Sequence, residues 1–195
     1  MHEIEPYYSW LKYYNPAEDE RSPFFGKEYN YDRYSETIYG YYIDPAWDGI
    51  GSETLYVKIL YTDYTLGFTI IEFIGEWNDA INNDIMTLKR SLIEPLIREG
   101  ISKFILIGEN ILNFHGSDDS YYEEWLEDIL EATSGESEGW IAAVMFPEFV
   151  MQEMKKFHVD HYVNMGEPLQ LDEWRTLQPI VVYDVVNQRL QRRLS

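Results

Sequence analysis

"GFTIIEFIGEWNDAINNDIMTLKRSLIEPLIREGISKFILIG", residues 67–108, opens and closes on strand patterns with a helical period between them. "GFTIIEFIG" is dense in β-branched and aromatic residues, the side chains that fit a pleated surface. The period then changes. Ile81, Ile85, Leu88, Leu92 and Leu96 recur at spacings of four, three, four and four, which places them on one helical face. Asp79 is the expected N-cap of this helix and Gly100 its C-terminal stop. Pro95 lies inside the helix, where its missing N–H forfeits the bond to Ser91 and predicts a kink in the last turn. "KFILIG", residues 103–108, returns to the character of a short buried strand.

Working outward, "TLYVKILYT" at 54–62 is a second strand, and Asp63 to Gly67 suits a hairpin connection to the first. Downstream, "DDSYYEEWLEDILEA" at 118–132 predicts a helix with Tyr122, Trp125, Leu126, Ile129 and Leu130 inward and its acids outward. A loop from Ser134 to Gly139 leads to a strand, "WIAAVMF". Pro147 stands at the favoured first position of a third helix carrying Val150, Met151, Met154 and Phe157 inward. His158 falls at that helix's end, where it favours the dipole. The order strand, strand, helix, strand, helix, strand, helix is an α/β pattern, a mixed sheet with helices packed on it.

The flanks are less regular. Residues 1–53 are expected to form a Tyr-rich arm packed on a core at 54–165, with 166–195 as a C-terminal extension. Tyrosines crowd the arm while Pro6, Pro16, Pro23 and Pro45 interrupt it, too aromatic for a disordered tail and too broken for one helix. Its surface suits core packing, protein or sugar contacts, or a homodimer. In the extension "YVNMG" reads as a short strand, "LDEWRTLQ" as a helical turn or two, and "PIVVYDVV" as either a strand or a closing helix running into Arg189, Arg192 and Arg193. That basic end is expected either to fold back onto acidic residues or to stay free.

Composition narrows the functions. Lys and Arg number 15 against 35 Asp and Glu, a net charge of -20. Such a chain repels phosphate backbones and anionic membranes. With no apolar run long enough to cross a bilayer and no leader pattern behind Met1, a cytoplasmic protein is expected. The absence of cysteine excludes disulfides, thiolate metal sites and a thiol nucleophile. Between Lys103 and Lys155 there is no Lys or Arg, while acids including Glu136 and Glu138 accumulate. Glu123, Glu124, Glu127, Asp128 and Glu131 should therefore present an acidic second-helix face, either a solubilising surface or a docking face for a basic partner protein.

Candidate chemistry concentrates in "NFHGSDDSYYEEW", residues 113–125. Ser117 and Asp118 suit the N-cap of the second helix, and Asp119 its first turn. No G-x-S-x-G elbow surrounds Ser117 to support a serine triad with His115. His158, Asp160 and His161, with His115 nearby, offer metal-ligand types without a specific ligand spacing, so no metal is assigned. Glu76 and Asp79 in "GEWND" form a carboxylate pair at a helix start, and "GIG" at 49–51 lacks the setting of a dinucleotide loop, so no cofactor is assigned.

Taken whole, "IIEFIGEWNDAINNDIMTLKRSLIEPLIREGISKFILIGENILNF" and "GWIAAVMFPEFVMQEMKKFHVDHYV" resemble the STAS family, the domain of bacterial anti-sigma-factor antagonists and sulfate transporter tails, over about residues 54–165. The resemblance implies a non-enzymatic regulatory module, with a kinase-like regulator as partner and a phosphorylated serine at the second helix's start. Ser117 holds that position. The family's Asp-Ser-Ser-Gly order is replaced by Gly116-Ser117-Asp118-Asp119, which puts permanent charge where a phosphate would bring it. The competing expectation is a small-molecule-binding or hydrolytic domain using His115, Ser117 and Glu76 in a pocket near the helix starts.

Overall fold

The computed structural model describes residues 4–133 and 139–194, leaving the side chains of Arg193 and Leu194 aside. The loop expected at Ser134, with Glu136 and Glu138, lies outside the described residues, as do Met1 to Glu3. The chain forms a mixed α/β structure around a five-stranded sheet. In chain order the elements are a small hairpin, β1 (Thr37–Ile38) and β2 (Tyr41–Tyr42), then β3 (Asp48–Gly49), β4 (Leu55–Asp63) and β5 (Phe68–Asn78). A helix begins as α1 (Asp84–Leu88), widens to a π turn over Lys89–Ile93 and ends as α2 (Glu94–Arg98). There follow β6 (Lys103–His115), α3 (Ser120–Ala132), β7 (Trp140–Val144), α4 (Glu148–Lys156) and α5 (Pro179–Leu194).

The main sheet runs β3-β4-β5-β6-β7, antiparallel as far as β5 and parallel from β5 to β7. The hairpin turn before β5 forms because Asp63 Oδ1 accepts the Thr65 and Leu66 amides, both at 2.9 Å, and Gly67 supplies φ +67. Strand β5 is buried from end to end, which explains why its sequence reads as a nearly unbroken apolar run. Its alternate side chains enter two layers. Ile71, Phe73 and Trp77 meet α1, α2, α3 and α4 on one face. Phe68 and Ile70 meet Trp10 of the arm, Trp174 and the α5 residues Val182, Tyr183 and Val186 on the other. Among the described residues no helix is long and apolar enough to cross a membrane.

Several expectations need correction. The first helix starts at Asp84, five residues after Asp79, and Ile81 stands 82% exposed in the preceding turn. At Pro95 the helix departs from a regular α ladder: it opens into the π turn just before the proline, where the Glu94 amide reaches back to Lys89 O. A π turn absorbs a missing i→i−4 bond by shifting the ladder one residue. Strand β6 runs on to His115 instead of stopping near Ile107, and Leu130 is half exposed. "YVNMG" contributes only a single bridge, Asn164 to Ala142, and "PIVVYDVV" is helical.

One row on β5 is not apolar. Glu72 is fully buried among the face-two residues, between Ile70 and Ile74. Its carboxylate accepts the Tyr7 amide at 2.8 Å and lies 3.7 Å from Arg175, which also pairs with Glu109. Glu72 thereby touches both the N-terminal arm and the segment before α5. Burial pushes its pKa up to about 7, against the pull of the Tyr7 amide and Arg175. Because the folded value exceeds the unfolded one, the stabilisation is complete below the usual carboxylate range and is lost as pH rises through about 7. Glu72→Gln, which keeps an acceptor for Tyr7 without the charge, should match the wild type in urea unfolding at about pH 3.5, below the unfolded carboxylate's own titration. At pH 8 it should unfold at higher urea, with a gain of at most on the order of 3 kcal/mol.

Candidate functional site

The carboxyl ends of the parallel strands carry the densest polar chemistry. Strand β7 pairs with β6 only from Lys103 to Ile107, so β6 beyond Ile107 projects with β5 alone as strand neighbour among the described residues. Register shifts between Glu72 and Ile74 and between Gly75 and Glu76 mark bulges in this projecting ladder. It ends where the Asp79 and Ala80 amides both donate to His115 O, at 2.8 and 3.1 Å.

Asp79 is the hub of this rim. Its Oδ1 accepts the Ile85 amide of α1 at 2.8 Å and the Trp77 indole N–H at 2.9 Å, while Oδ2 accepts the Tyr122 hydroxyl of α3 at 2.7 Å. Contrary to expectation Asp79 is not the N-cap, which is Asn83 without a side-chain capping bond; Asp79 instead serves a first-turn amide of a helix that begins five residues later. Asp84 makes the reciprocal link, its Oδ2 accepting the Asn78 amide at 2.7 Å. Burial pushes Asp79 up to about 6 despite its three donors, and the Asp84 charge adds to the rise. Asp84 is raised by burial too, with Ser52 and the Asn78 amide opposing. Burial and the Asp79 carboxylate hold the Tyr122 hydroxyl well above its ordinary value.

Above this buried layer lies an exposed one. His115 Nε2 is 3.1 Å from Glu76 Oε1 and 3.0 Å from the Asn113 side-chain amide nitrogen. Asn113 Oδ1 already accepts the Phe114 amide, which fixes the amide's orientation. One imidazole nitrogen cannot donate to Glu76 and accept from Asn113 together, so a tautomer change exchanges one contact for the other. Tyr39 also donates to Glu76, from a hairpin turn where it holds φ 52, a left-handed conformation uncommon for an aromatic residue. Sequence reasoning missed the roles of Tyr39 and Tyr122 because their partners lie 37 and 43 residues away, and that of Asp84 because its helix was expected to start at Asp79.

The remaining candidates are placed as follows. Ser117 is exposed in the loop before α3, and Asp118 turns inward to its own chain, accepting the Ser120 amide at 3.1 Å. The N-cap is Asp119, whose side chain makes no capping bond, in place of the expected Ser117 or Asp118. Gly116 is required by contact, since a Cβ there would lie 2.3 Å from the Phe157 ring. None of the cavities described is lined by Glu76, His115 or Ser117. His158 and His161 stack on each other at 5.2 Å, and among the described residues no three His, Asp or Glu side chains converge to hold a metal.

The acidic face of α3 has a counterion from outside its own segment. Lys89, nearly fully buried at the start of the π turn, reaches Asp128 at 2.6 Å, Glu124 at 2.9 Å and Glu94 at 3.3 Å. Burial opposes its charge, yet the hydrogen bonds it donates to Asp128 and Glu124 prevail and raise its pKa. Glu123, Glu127 and Glu131 are exposed on the same helix and form no ion pair among the described residues. Asp79→Ala would leave the Ile85 amide, the Trp77 N–H and the Tyr122 hydroxyl without their acceptor. At about 1–3 kcal/mol per stranded buried group, the loss should be about 3 kcal/mol or more in urea unfolding, with Asp79→Asn intermediate.

Comparison of the chain with protein-family models, with curated proteins and with solved structures found no match.

Proposed function

We propose that the protein is a non-enzymatic, STAS-like interaction module whose α3 face takes a basic surface of a partner protein. The observation that carries the reading is the anchored acidity of that face. Three carboxylates converge on the one ammonium of Lys89, so Glu124 and Asp128 stand in fixed positions and the cluster keeps a negative excess. Glu123, Glu127 and Glu131 extend it along the helix. A merely solubilising surface needs no buried cation to hold it in register. Ordered carboxylates forfeit less side-chain entropy when a partner's Arg or Lys arrives, and a field of one sign steers that arrival.

The STAS resemblance supports the same reading through its helix order, and it makes Ser117 the position for regulation by a kinase-like partner. Ser117 is exposed in the loop just before α3, and a phosphate there would add to the negative field.

The test leaves the Lys89 cluster intact. Glu123, Glu127 and Glu131 are changed together to Lys, and tagged wild type and variant are used to capture partners at low and high salt, with intact-mass analysis of the bait. The expected result is one stoichiometric partner for the wild type, released at high salt and absent from the variant. A partner retained equally by both proteins places the interface elsewhere and ends this reading. A mass increment of one phosphate that disappears in Ser117→Ala would identify the regulated residue.

A further inference from the structure

The second face of the sheet carries a polar row that the N-terminal arm covers. Lys58 of β4 and Glu72 of β5 are direct cross-strand partners and both are buried. Lys58 nevertheless gives its ammonium to Ala46 O at 2.9 Å and to Asp48 at 3.2 Å. Glu72 is left with the Tyr7 amide at 2.8 Å, the Asn110 side-chain amide at 3.5 Å and Arg175 at 3.7 Å. That guanidinium serves two acids, and Glu109 takes both of its terminal nitrogens. A buried carboxylate with one firm hydrogen bond is poorly compensated for its charge.

The arm segment over this row is pinned at a few points. Trp10 is buried, meets Tyr7 and Trp174 edge-on at 5.4 and 5.5 Å, and donates its indole N–H to Leu177 O at 3.0 Å. The Tyr7 hydroxyl donates to Arg175 O. Between these pins the packing is open. A void of about 10 Å³, room for about one water, lies among Tyr7, Tyr8, Leu11 and Lys58. A larger cavity, of about 350 Å³, is also lined by Tyr8, Leu11 and Lys58. Water therefore has a short route to the polar row once Tyr7 lifts.

We infer that residues 6–14 form a strap latched by a proton on Glu72: the neutral acid keeps the strap seated, and the ionised carboxylate releases it to reach water. The Tyr7 amide bonds a carboxylate more strongly than a neutral acid, but one amide does not replace a hydration shell. Burial accordingly outweighs Tyr7 and Arg175 in setting the Glu72 pKa, and the Glu109 charge adds to the rise. Lys58, facing Glu72 from β4, is already engaged by Asp48. The seated strap keeps the proton, whereas Glu72 in water loses it in the ordinary carboxylate range. Opening therefore grows as pH rises from that range to about 7 and is level beyond. The strap lies on the sheet face opposite α3, so the latch does not depend on the acidic docking face.

The test is amide hydrogen exchange of the full chain, read by mass on peptides from the strap and from β5 and divided by each amide's intrinsic rate. In the wild type, normalised strap exchange should rise about thirtyfold from about pH 5.5 to about pH 8, with most of the rise complete by about pH 7. The β5 amides should stay protected over the same times, because the opening is confined to the strap. Glu72→Gln should keep the slow strap exchange of the acidic wild type at both ends of the range. Glu109→Gln, which frees Arg175 for Glu72, should shrink the rise to less than about tenfold. A flat wild-type profile, an equal rise in Glu72→Gln, or strap amides that exchange no faster than those of β5 would overturn the latch.

Discussion

The Asp79 carboxylate is the joint on which the helical layer turns. It binds the indole of its own strand end, a first-turn amide of α1 and a hydroxyl from α3, three donors from three elements. Without it, α1 would begin with an orphan amide and the start of α3 would lose its directional contact, leaving apolar packing and the Lys89 pairs at its middle. Apolar contact is non-directional, whereas a carboxylate with three donors fixes distance and angle together. The reciprocal Asp84 bond to Asn78 closes the turn from the other side. The price is a buried acid whose ionisation the fold disfavours, evident in its raised pKa.

The same logic recurs wherever charge is buried. Lys58 and Lys27 share Asp48, Glu72 holds the arm's Tyr7 amide beside Arg175, and Lys89 gathers three acids. Such pairs add little net stability over well-packed apolar side chains, because desolvation offsets their attraction. What they supply is register. Lys58 and Glu72 are direct cross-strand partners on β4 and β5, and between them they fix where the irregular N-terminal arm lies. A chain with few regular elements in that arm needs such directional contacts, since periodic packing cannot place it.

The sequence disclosed what depends on local period. The β4–β5 hairpin, the helices after β5, β6 and β7, and the mixed α/β architecture all follow from alternation or from the helical repeat, because core contacts reuse the same spacing. The failures have equally local causes. Ile81 sits at a helical interval before Ile85 by coincidence: the Asn78 side chain caps the Ile81 amide in a turn, and the helix starts after it. The second half of β6 was hidden by the bulges and the polar residues of "ENILNF", which break the two-residue period. The apolar crowding of "PIVVYDVV" fits strand or helix alike until Val182, Val186 and Leu190 are seen sharing one buried face. At the candidate site the sequence grouped His115 with Glu76, and the two side chains do meet, but none of the described cavities holds them. Lys89 gives no local signal, because Glu124 and Asp128 lie on the next helix and Glu94, five residues on, does not by itself mark a buried cation.

Helix α3 therefore serves three surfaces at once. Tyr122, Trp125 and Ile129 enter the core, Glu123, Glu127 and Glu131 face solvent, and Leu126 and Leu130 line an edge cavity with Trp140 of β7 and Leu190 of α5. A partner on the proposed acidic face would be felt at the other two surfaces only through coupling. Coupling requires a second arrangement of the helix that the partner binds differently. Here α3 is fixed near its start by Tyr122 on Asp79 and at its middle by Glu124 and Asp128 on Lys89. Two anchors on a rigid rod leave it no low-cost translation or rotation, so occupation of the proposed acidic face should leave the core packing of α3 unchanged while both anchors hold. Weakening either one, at Asp79 or at Lys89, frees the motion that coupling needs. These buried charges thus decide whether α3 acts as a scaffold or as a lever.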